Sequence, residues 1–527
     1  MKRRFSQLLA AVLFPIASLL AAASSEGGLF RLMWTDEATV ADIRTALESR
    51  QLTCRQLVQM YIDRIEAYDK KGPALNAIIM INPNALAAAD ALDAKFARSG
   101  MSGPLHCVPL IVKDNFNTAD MSTTAGSLSL KGSIPASDAF QVRKLREAGA
   151  VVLAKSNMAE FAWSPFETVS SILPGYTRNP YALDRVPAGS SGGTAAAIAA
   201  NFGAVGLGSD TGNSIRGPSS HTSLVGIRST MGLTSRDGIV PLFLNRDIGG
   251  PMARSVADAV AVFDVIAGHD PADPVTAASQ GKRADTYLKF LDRDGLRAAR
   301  IGVVRQLFMG ADTDPEILRL LEQALADMKR QGAEIIEGVN IPEIDQIPPA
   351  KLFCNRFKYD IEAYLTGLGP QAPVKNLDEI LASQKFHPSI EKRMRDAQAE
   401  PPPDQNPKCQ EAEENGHRLA QGVLTAMDEL KVDALVYPSW NNPPRLIGDL
   451  NTPHGNNSNR LAPPTGFPAM TIPMGFTHGT LPAGLQLLGR PWSEPTLIRI
   501  GYAYEQATRH RRPPASVPPL TGTPQPE

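Results

Sequence analysis

The sequence lacks a dominant charge sign: 53 basic side chains stand against 54 acidic ones, with no long like-charge run. That balance excludes the electrostatic footprint of a nucleic-acid partner and favours a small, nearly neutral substrate. Cysteine is scarce. Cys54, Cys107, Cys354 and Cys409 are the four present, none in a C-x-x-C pair, so a zinc site is not expected and no other metal or cofactor is indicated. Two readings of them stay open: a Cys354–Cys409 bridge, since both fall in one variable region, or separate thiols with at most one bridge. Beyond the first residues no apolar run is long enough to cross a bilayer. There is no internal repeat, and no Gly-Lys-Ser/Thr follows the glycine-rich segment, which argues against a phosphate-binding loop.

What is present begins with a targeting pattern. Lys2, Arg3 and Arg4 precede an apolar stretch from Phe5 to Leu20 and then Ala21-Ala22-Ala23. This reads as a secretory signal peptide over residues 1–23 with a short linker over 24–34, and it makes the mature chain exported, periplasmic or extracellular, with no stable membrane insertion. An uncleaved anchor helix is the alternative; Pro15 and the small-residue end weigh against it. At 527 residues, 43% hydrophobic and 20% charged, the chain can bury a large core. Length by itself suggests two to four domains. Motif spacing argues instead for one catalytic domain over residues 35–513, with a cap-like elaboration over about 270–431 and a proline-rich, disordered tail over 514–527.

Apolar periodicity predicts two helices between Thr35 and Lys71 and further helices at Ala85–Phe96, Phe140–Glu147, Asp314–Gln331, Ile390–Gln398 and Glu494–His510. Short apolar runs at Asn76–Ile81, Val108–Val112, Ala150–Ala154, Ala434–Tyr437 and Ala469–Pro473 read as strands. The alternation implies an α/β fold with a mixed sheet covered by helices.

The chemistry concentrates in Pro187-Ala-Gly-Ser-Ser-Gly-Gly-Thr194, then a helix from Ala195 to Asn201, a strand from Ala204 to Gly208, and Ser209-Asp-Thr-Gly-Asn-Ser-Ile-Arg216. A seven-residue helix advances about 10 Å and a five-residue strand returns about 16 Å. The chain can therefore double back and bring Ser214 beside Ser190. Glycines in such turns expose consecutive N–H groups, and the amides of Thr211, Gly212, Asn213 and Ser214 could converge on an oxyanion. A serine hydroxyl needs a base. None of the eight histidines lies in these segments, and His221, the nearest, sits seven residues past Ser214. Lys113, which closes the apolar run Val108–Val112, is the better candidate, provided that burial lowers its pKa from about 10.4.

Several blocks carry a family resemblance. Gly103-Pro-Leu-His-Cys-Val-Pro-Leu-Ile-Val-Lys-Asp-Asn115, Gly149-Ala-Val-Val-Leu-Ala-Lys-Ser-Asn-Met-Ala-Glu-Phe161, Asn179–Gly193, Gly208–Arg216, Phe467-Pro-Ala-Met-Thr-Ile-Pro473 and Leu481-Pro-Ala-Gly-Leu-Gln-Leu-Leu-Gly489 resemble, in order, the signature of the amidase signature family. The resemblance covers roughly residues 35–513. It implies a Ser–cis-Ser–Lys hydrolase acting on a peptide or small-molecule amide: Ser214 as nucleophile, Ser190 as proton relay on a cis peptide bond and Lys113 as base. It also implies that Ser191 supports the relay. Asp210 and Arg216 flank the nucleophile loop and are expected to brace it. Asn213 departs from the glycine usual before the nucleophile, and a left-handed backbone there would preserve the turn. Ala188 is a milder departure of the same kind. Met158, Phe161, Trp163 and Phe166 are candidates for an acyl pocket or for core.

Two rivals remain. Gly189-Ser-Ser-Gly-Gly193 fits the G-x-S-x-G elbow of an α/β-hydrolase esterase with Ser191 as nucleophile, but that elbow needs a strand directly before it. A binding protein that keeps the fold while Asn213 has spoiled the oxyanion hole is the other.

Overall fold

The computed structural model describes residues 36–520. The signal-peptide and linker readings, and the last seven residues of the tail, lie outside the described residues. Eleven strands form one mixed sheet. In chain order they are β1 (Ile78–Ile81), β2 (Pro109–Lys113), β3 (Val151–Ser156), β4 (Val205–Asp210), β5 (Val225–Arg228), β6 (Ile248–Ala253), β7 (Arg300–Val303), β8 (Glu334–Ile336), β9 (Ala434–Pro438), β10 (Ala469–Thr477) and β11 (Leu481–Leu488). Their order across the sheet is β1-β3-β2-β4-β6-β5-β10-β11-β9-β7-β8. The β3-β2-β4 block is parallel, as is β9-β7-β8, and the strands between run antiparallel.

Parallel strands covered on both faces need continuous apolar runs, and β2, β3 and β4 are buried along their whole lengths. The helix Gly192–Ala199 packs against β2 and β4, and all eight of its residues are buried. Its composition permits that approach, because a Cβ on Gly193 would collide with the backbone of Asn157. At the N-terminus the helices Val40–Glu48 and Cys54–Tyr68 each start on a capping box, Thr39 with Asp42 and Thr53 with Gln56, which satisfies amides that the first turn leaves unpaired. No helix among the described residues is long and apolar enough to cross a membrane.

Two expectations change. Region 270–431 is only partly a cap, since β7 and β8 extend the central sheet. Its roof-like part is a second core, in which Phe357, Ile361, Leu377, Ile380 and Met394 pack with Phe161, Trp163 and Phe243. The 23-residue helix Pro407–Glu429 follows: Pro407 occupies its first turn, where the missing N–H costs nothing, and Asn406 caps it. Residues 514–520 of the expected tail pack on the domain, where the buried guanidinium of Arg64 donates to the carbonyls of Val517 and Pro518 at 2.6 and 3.0 Å.

Two disulfides form. Cys354–Cys409 joins the roof to the long helix with Cα atoms 4.7 Å apart. Cys54–Cys107, with Cα atoms 5.5 Å apart, has no signal in the sequence, because its partners lie in a helix and in a loop before β2 that sequence spacing does not relate.

Candidate active site

β2 and β4 are parallel neighbours, with Val112 opposite Leu207, so both chains leave the sheet at the same end. Lys113 is the last residue of β2, and Ser209 and Asp210 end β4. The helix Gly192–Ala199 starts next to them, preceded by Ser190 and Ser191. The expected doubling back occurs: the Ser191 N–H donates to the Ser214 carbonyl at 3.3 Å. The Gly189–Ser190 peptide bond is cis.

Lys113 is fully buried. Its Nζ lies 2.7 Å from Ser190 Oγ, 2.8 Å from Ser209 Oγ and 3.3 Å from the Ser209 carbonyl. A protonated amine has three N–H donors for these three acceptors. A neutral amine keeps two, which Ser209 can accept through its two oxygens, and turns its lone pair to the Ser190 hydroxyl. One proton therefore separates two fully bonded states. Burial pulls the Lys113 pKa down to about 7, against the opposing pull of Asp247 and Asp210.

Lys155 provides the contrast. It pairs opposite Val112 rather than Lys113, so it points to the other face of the sheet. There its Nζ lies 3.5 Å from Asp114. No carboxylate stands within ion-pair distance of Lys113 among the described residues.

The turn from Thr211 to Ser214 is held from beneath. Asp210 accepts from Arg216 Nε at 3.0 Å, from Arg228 Nη1 at 3.1 Å and from the Ile215 N–H at 3.2 Å. Burial acts to raise the Asp210 pKa, yet the two guanidiniums hold it below the usual carboxylate range. Arg216 also donates to the Gly212 carbonyl at 3.1 Å. Both residues thus hydrogen-bond to the loop. Thr211 is clamped by its hydroxyl to Asp247, whose own pKa burial raises to about 6.

Asn213 departs from expectation in its backbone. Neither it nor Gly212 has a positive φ, so a left-handed residue is not what the turn requires. The Asn213 side chain is instead buried, with Nδ2 donating to the Gly189 carbonyl at 2.9 Å and Oδ1 accepting from Trp440 Nε1 at 3.0 Å. Gly217 makes the room, since a Cβ there would strike the Asn213 amide. Ala188 does take the left-handed conformation, with φ 64°. The Ser191 hydroxyl donates to the Ser209 carbonyl at 3.2 Å, the same oxygen that faces Lys113.

Ser209, Asn115, Asp247 and Trp440 join the site although sequence reasoning does not single them out. Asn115 Nδ2 donates to Ser209 Oγ at 2.9 Å, orienting the hydroxyl that meets Lys113. Both Asn115 and Ser209 stand within the quoted signature blocks, so their proximity to Lys113 and Asp210 was the available signal. Asp247 and Trp440 had none.

Ser214, Thr211, Gly212 and Asn213 open into a cavity of about 550 Å³, a size suited to a small organic ligand. Its far wall comes from the roof, including Pro349, Leu352, Phe353 and Arg393. Of the four aromatic and Met candidates, Trp163 lines it; Met158 and Phe161 are core. Phe166 packs against His454 with ring centroids 4.6 Å apart and the planes tilted by 44°. His221 is buried against Trp440, with ring centroids 4.7 Å apart, and burial drives its pKa to about 3. It forms no side-chain hydrogen bond to the serines. No strand leads into Ser191, which removes the structural requirement of the esterase elbow.

A mixed sheet with a buried amine and serine hydroxyls at its carboxyl edge, opening into a ligand-sized cavity, defines a hydrolase of the acyl-transfer class. Residues 56–498 match the family model "Amidase". The chain is 36% identical over 500 residues to a probable amidase of Arabidopsis thaliana, covering 91% of each. It is 36% identical to one component of the glutamyl-tRNA(Gln) amidotransferase of Moorella thermoacetica, over 90% of this chain and 98% of that one. Among solved structures it is similar to the native peptide amidase of Stenotrophomonas maltophilia, with TM-score 0.83 and 38% identity over 92% of this chain and 99% of that one. The chain belongs to the amidase family and is an amidase, hydrolysing amide C–N bonds.

Proposed function

We propose that hydrolysis proceeds through an acyl-enzyme on Ser214, with Ser190 as relay and Lys113 as base. Neutral Lys113 takes the Ser190 proton while Ser190 takes that of Ser214, and Ser214 Oγ bonds to the amide carbon. The Thr211–Ser214 amides receive the developing oxyanion. As the C–N bond breaks, the proton returns through Ser190 to the leaving nitrogen, and ammonia or an amine departs. Water then repeats the sequence on the ester.

The 2.7 Å contact between Lys113 Nζ and Ser190 Oγ carries this reading. Its test is covalent labelling with a fluorophosphonate. Labelling should map to Ser214 and fall by about a thousandfold in Lys113→Met, the scale of a lost general base; a label on Ser191, or full turnover in Lys113→Met, would overturn it.

The similarity to peptide amidase and the size of the cavity support peptide carboxy-terminal amides as the substrate class. Release of ammonia from blocked peptide amides, compared with aryl and fatty acyl amides, tests that choice. Export is proposed as well, supported by the basic and apolar N-terminus and by two disulfides, which persist in oxidising compartments. A mature protein beginning at Ser24 in the extracytoplasmic fraction is the expected finding.

A further inference from the structure

The near-neutral composition suggests a neutral substrate, but the cavity wall is not neutral. Three arginines, Arg246, Arg393 and Arg460, line it with one acid, Asp396. Asp396 is occupied, since Lys392 Nζ lies 2.8 Å from its carboxylate. Arg393 donates to the Trp163 carbonyl and Arg460 to the Ile344 carbonyl, so each is fixed by an uncharged acceptor, with only the more distant carboxylates Glu167 and Asp345 acting on them. Neither forms an ion pair among the described residues.

Arg246 is barer still. It follows Asn245 in the loop that carries Phe243 and Asp247, and the guanidinium carbon lies 5.9 Å from the centre of the Phe353 ring. Its guanidinium forms no hydrogen bond and no ion pair among the described residues, although its backbone carbonyl accepts from Arg228. Burial, with the Arg228 cation acting in the same direction, lowers its pKa to about 10, which leaves it charged at neutral pH. A half-buried guanidinium without an acceptor is costly, and its planar fork matches a carboxylate. The rest of the wall, with Trp163, Leu242, Phe243 and Phe353, is apolar.

We infer that Arg246, helped by Arg393 and Arg460, is a specificity residue that selects amides whose acyl portion carries a carboxylate beside an apolar group. This rests on the amidase reading and narrows its substrate class. Within peptide amides, an acidic side chain or a free carboxylate near the scissile amide would reach the arginines while Ser214 faces the carbonyl.

The test uses the mature chain and a set of acetylated tripeptide amides in which one acidic residue is moved through the three positions, each with a leucine counterpart. At the best position the acidic amide should exceed its counterpart in kcat/KM by about tenfold or more, the scale of one charge-assisted hydrogen bond. Arg246→Gln should collapse that ratio, Arg246→Lys should restore part of it, and 0.5 M salt should reduce it. Equal ratios in wild type and Arg246→Gln, or a preference for the neutral member at every position, overturn the inference. Calorimetry on Ser214→Ala separates the two levels. Acid-selective binding that depends on Arg246, without turnover by the wild type, would sink the hydrolytic reading while leaving the charge selection; turnover with no acid selectivity in either measurement does the reverse.

Discussion

The Asn213 side-chain amide donates to the Gly189 carbonyl across 2.9 Å, so the residue before Ser214 grips the peptide unit that leads into Ser190. The two serines are therefore positioned by one side chain as well as by the Ser191–Ser214 backbone bond. Asn213→Gly, although it installs the family's usual residue, should leave the Gly189 carbonyl and the Trp440 indole N–H unpaired. Unmade buried hydrogen bonds cost about 1–3 kcal/mol each. A denaturant melt should show a loss in that range, with a fall in kcat; an unchanged melt would mean that other groups move in to bond both atoms.

Lys113 sets the pH dependence. With its pKa near 7, the neutral base is lost as pH falls, so kcat/KM should drop about tenfold per unit below that value and level off above it. Stability follows the same group with a defined sign. The folded pKa is below the unfolded one of about 10.4, so between about 7 and 10 the unfolded chain binds more protons and stability rises with pH. Wild type should gain on Lys113→Met across that window and run parallel to it below pH 7. Parallel curves throughout would show an amine that titrates normally.

Ser190 and Ser191 are adjacent but differ in their bonds. Ser190→Ala removes the oxygen that touches Lys113 and should lower acylation by about a thousandfold. Ser191→Ala removes a donor to the Ser209 carbonyl and should cost about tenfold, with Ser214 still labelled. Burst kinetics on an activated amide distinguishes these outcomes.

The two disulfides should separate in effect. Replacing Cys54 and Cys107 by Ala should lower stability by about 2–4 kcal/mol with KM unchanged, because neither lines the cavity. Replacing Cys354 and Cys409 frees the segment that carries Leu352 and Phe353 into the cavity wall. KM should then rise by about tenfold, since loosened positioning residues act through substrate placement.

Much of the scaffold was legible because it is local. Phe140–Glu147 appears where periodicity placed it, and the apolar run before Lys113 became a strand buried on both faces. The long helix from Pro407 was hidden, since the prolines that end one segment also start the next. β7 and β8 were hidden too. Their apolar runs are short, and membership in the sheet depends on partners far along the chain.

The sequence by itself singled out Lys113, Ser190 and Ser214 as candidates, because the signature blocks that carry them are runs of neighbouring residues whose resemblance to a family can be read in order along the chain. Only the tertiary structure decided what surrounds them: Ser209 and Asn115 meeting the amine, Asp247 clamping Thr211, Trp440 holding Asn213, and three arginines lining the cavity. Those contacts join residues on different strands and loops, where long-range pairing rather than local periodicity sets who is near whom.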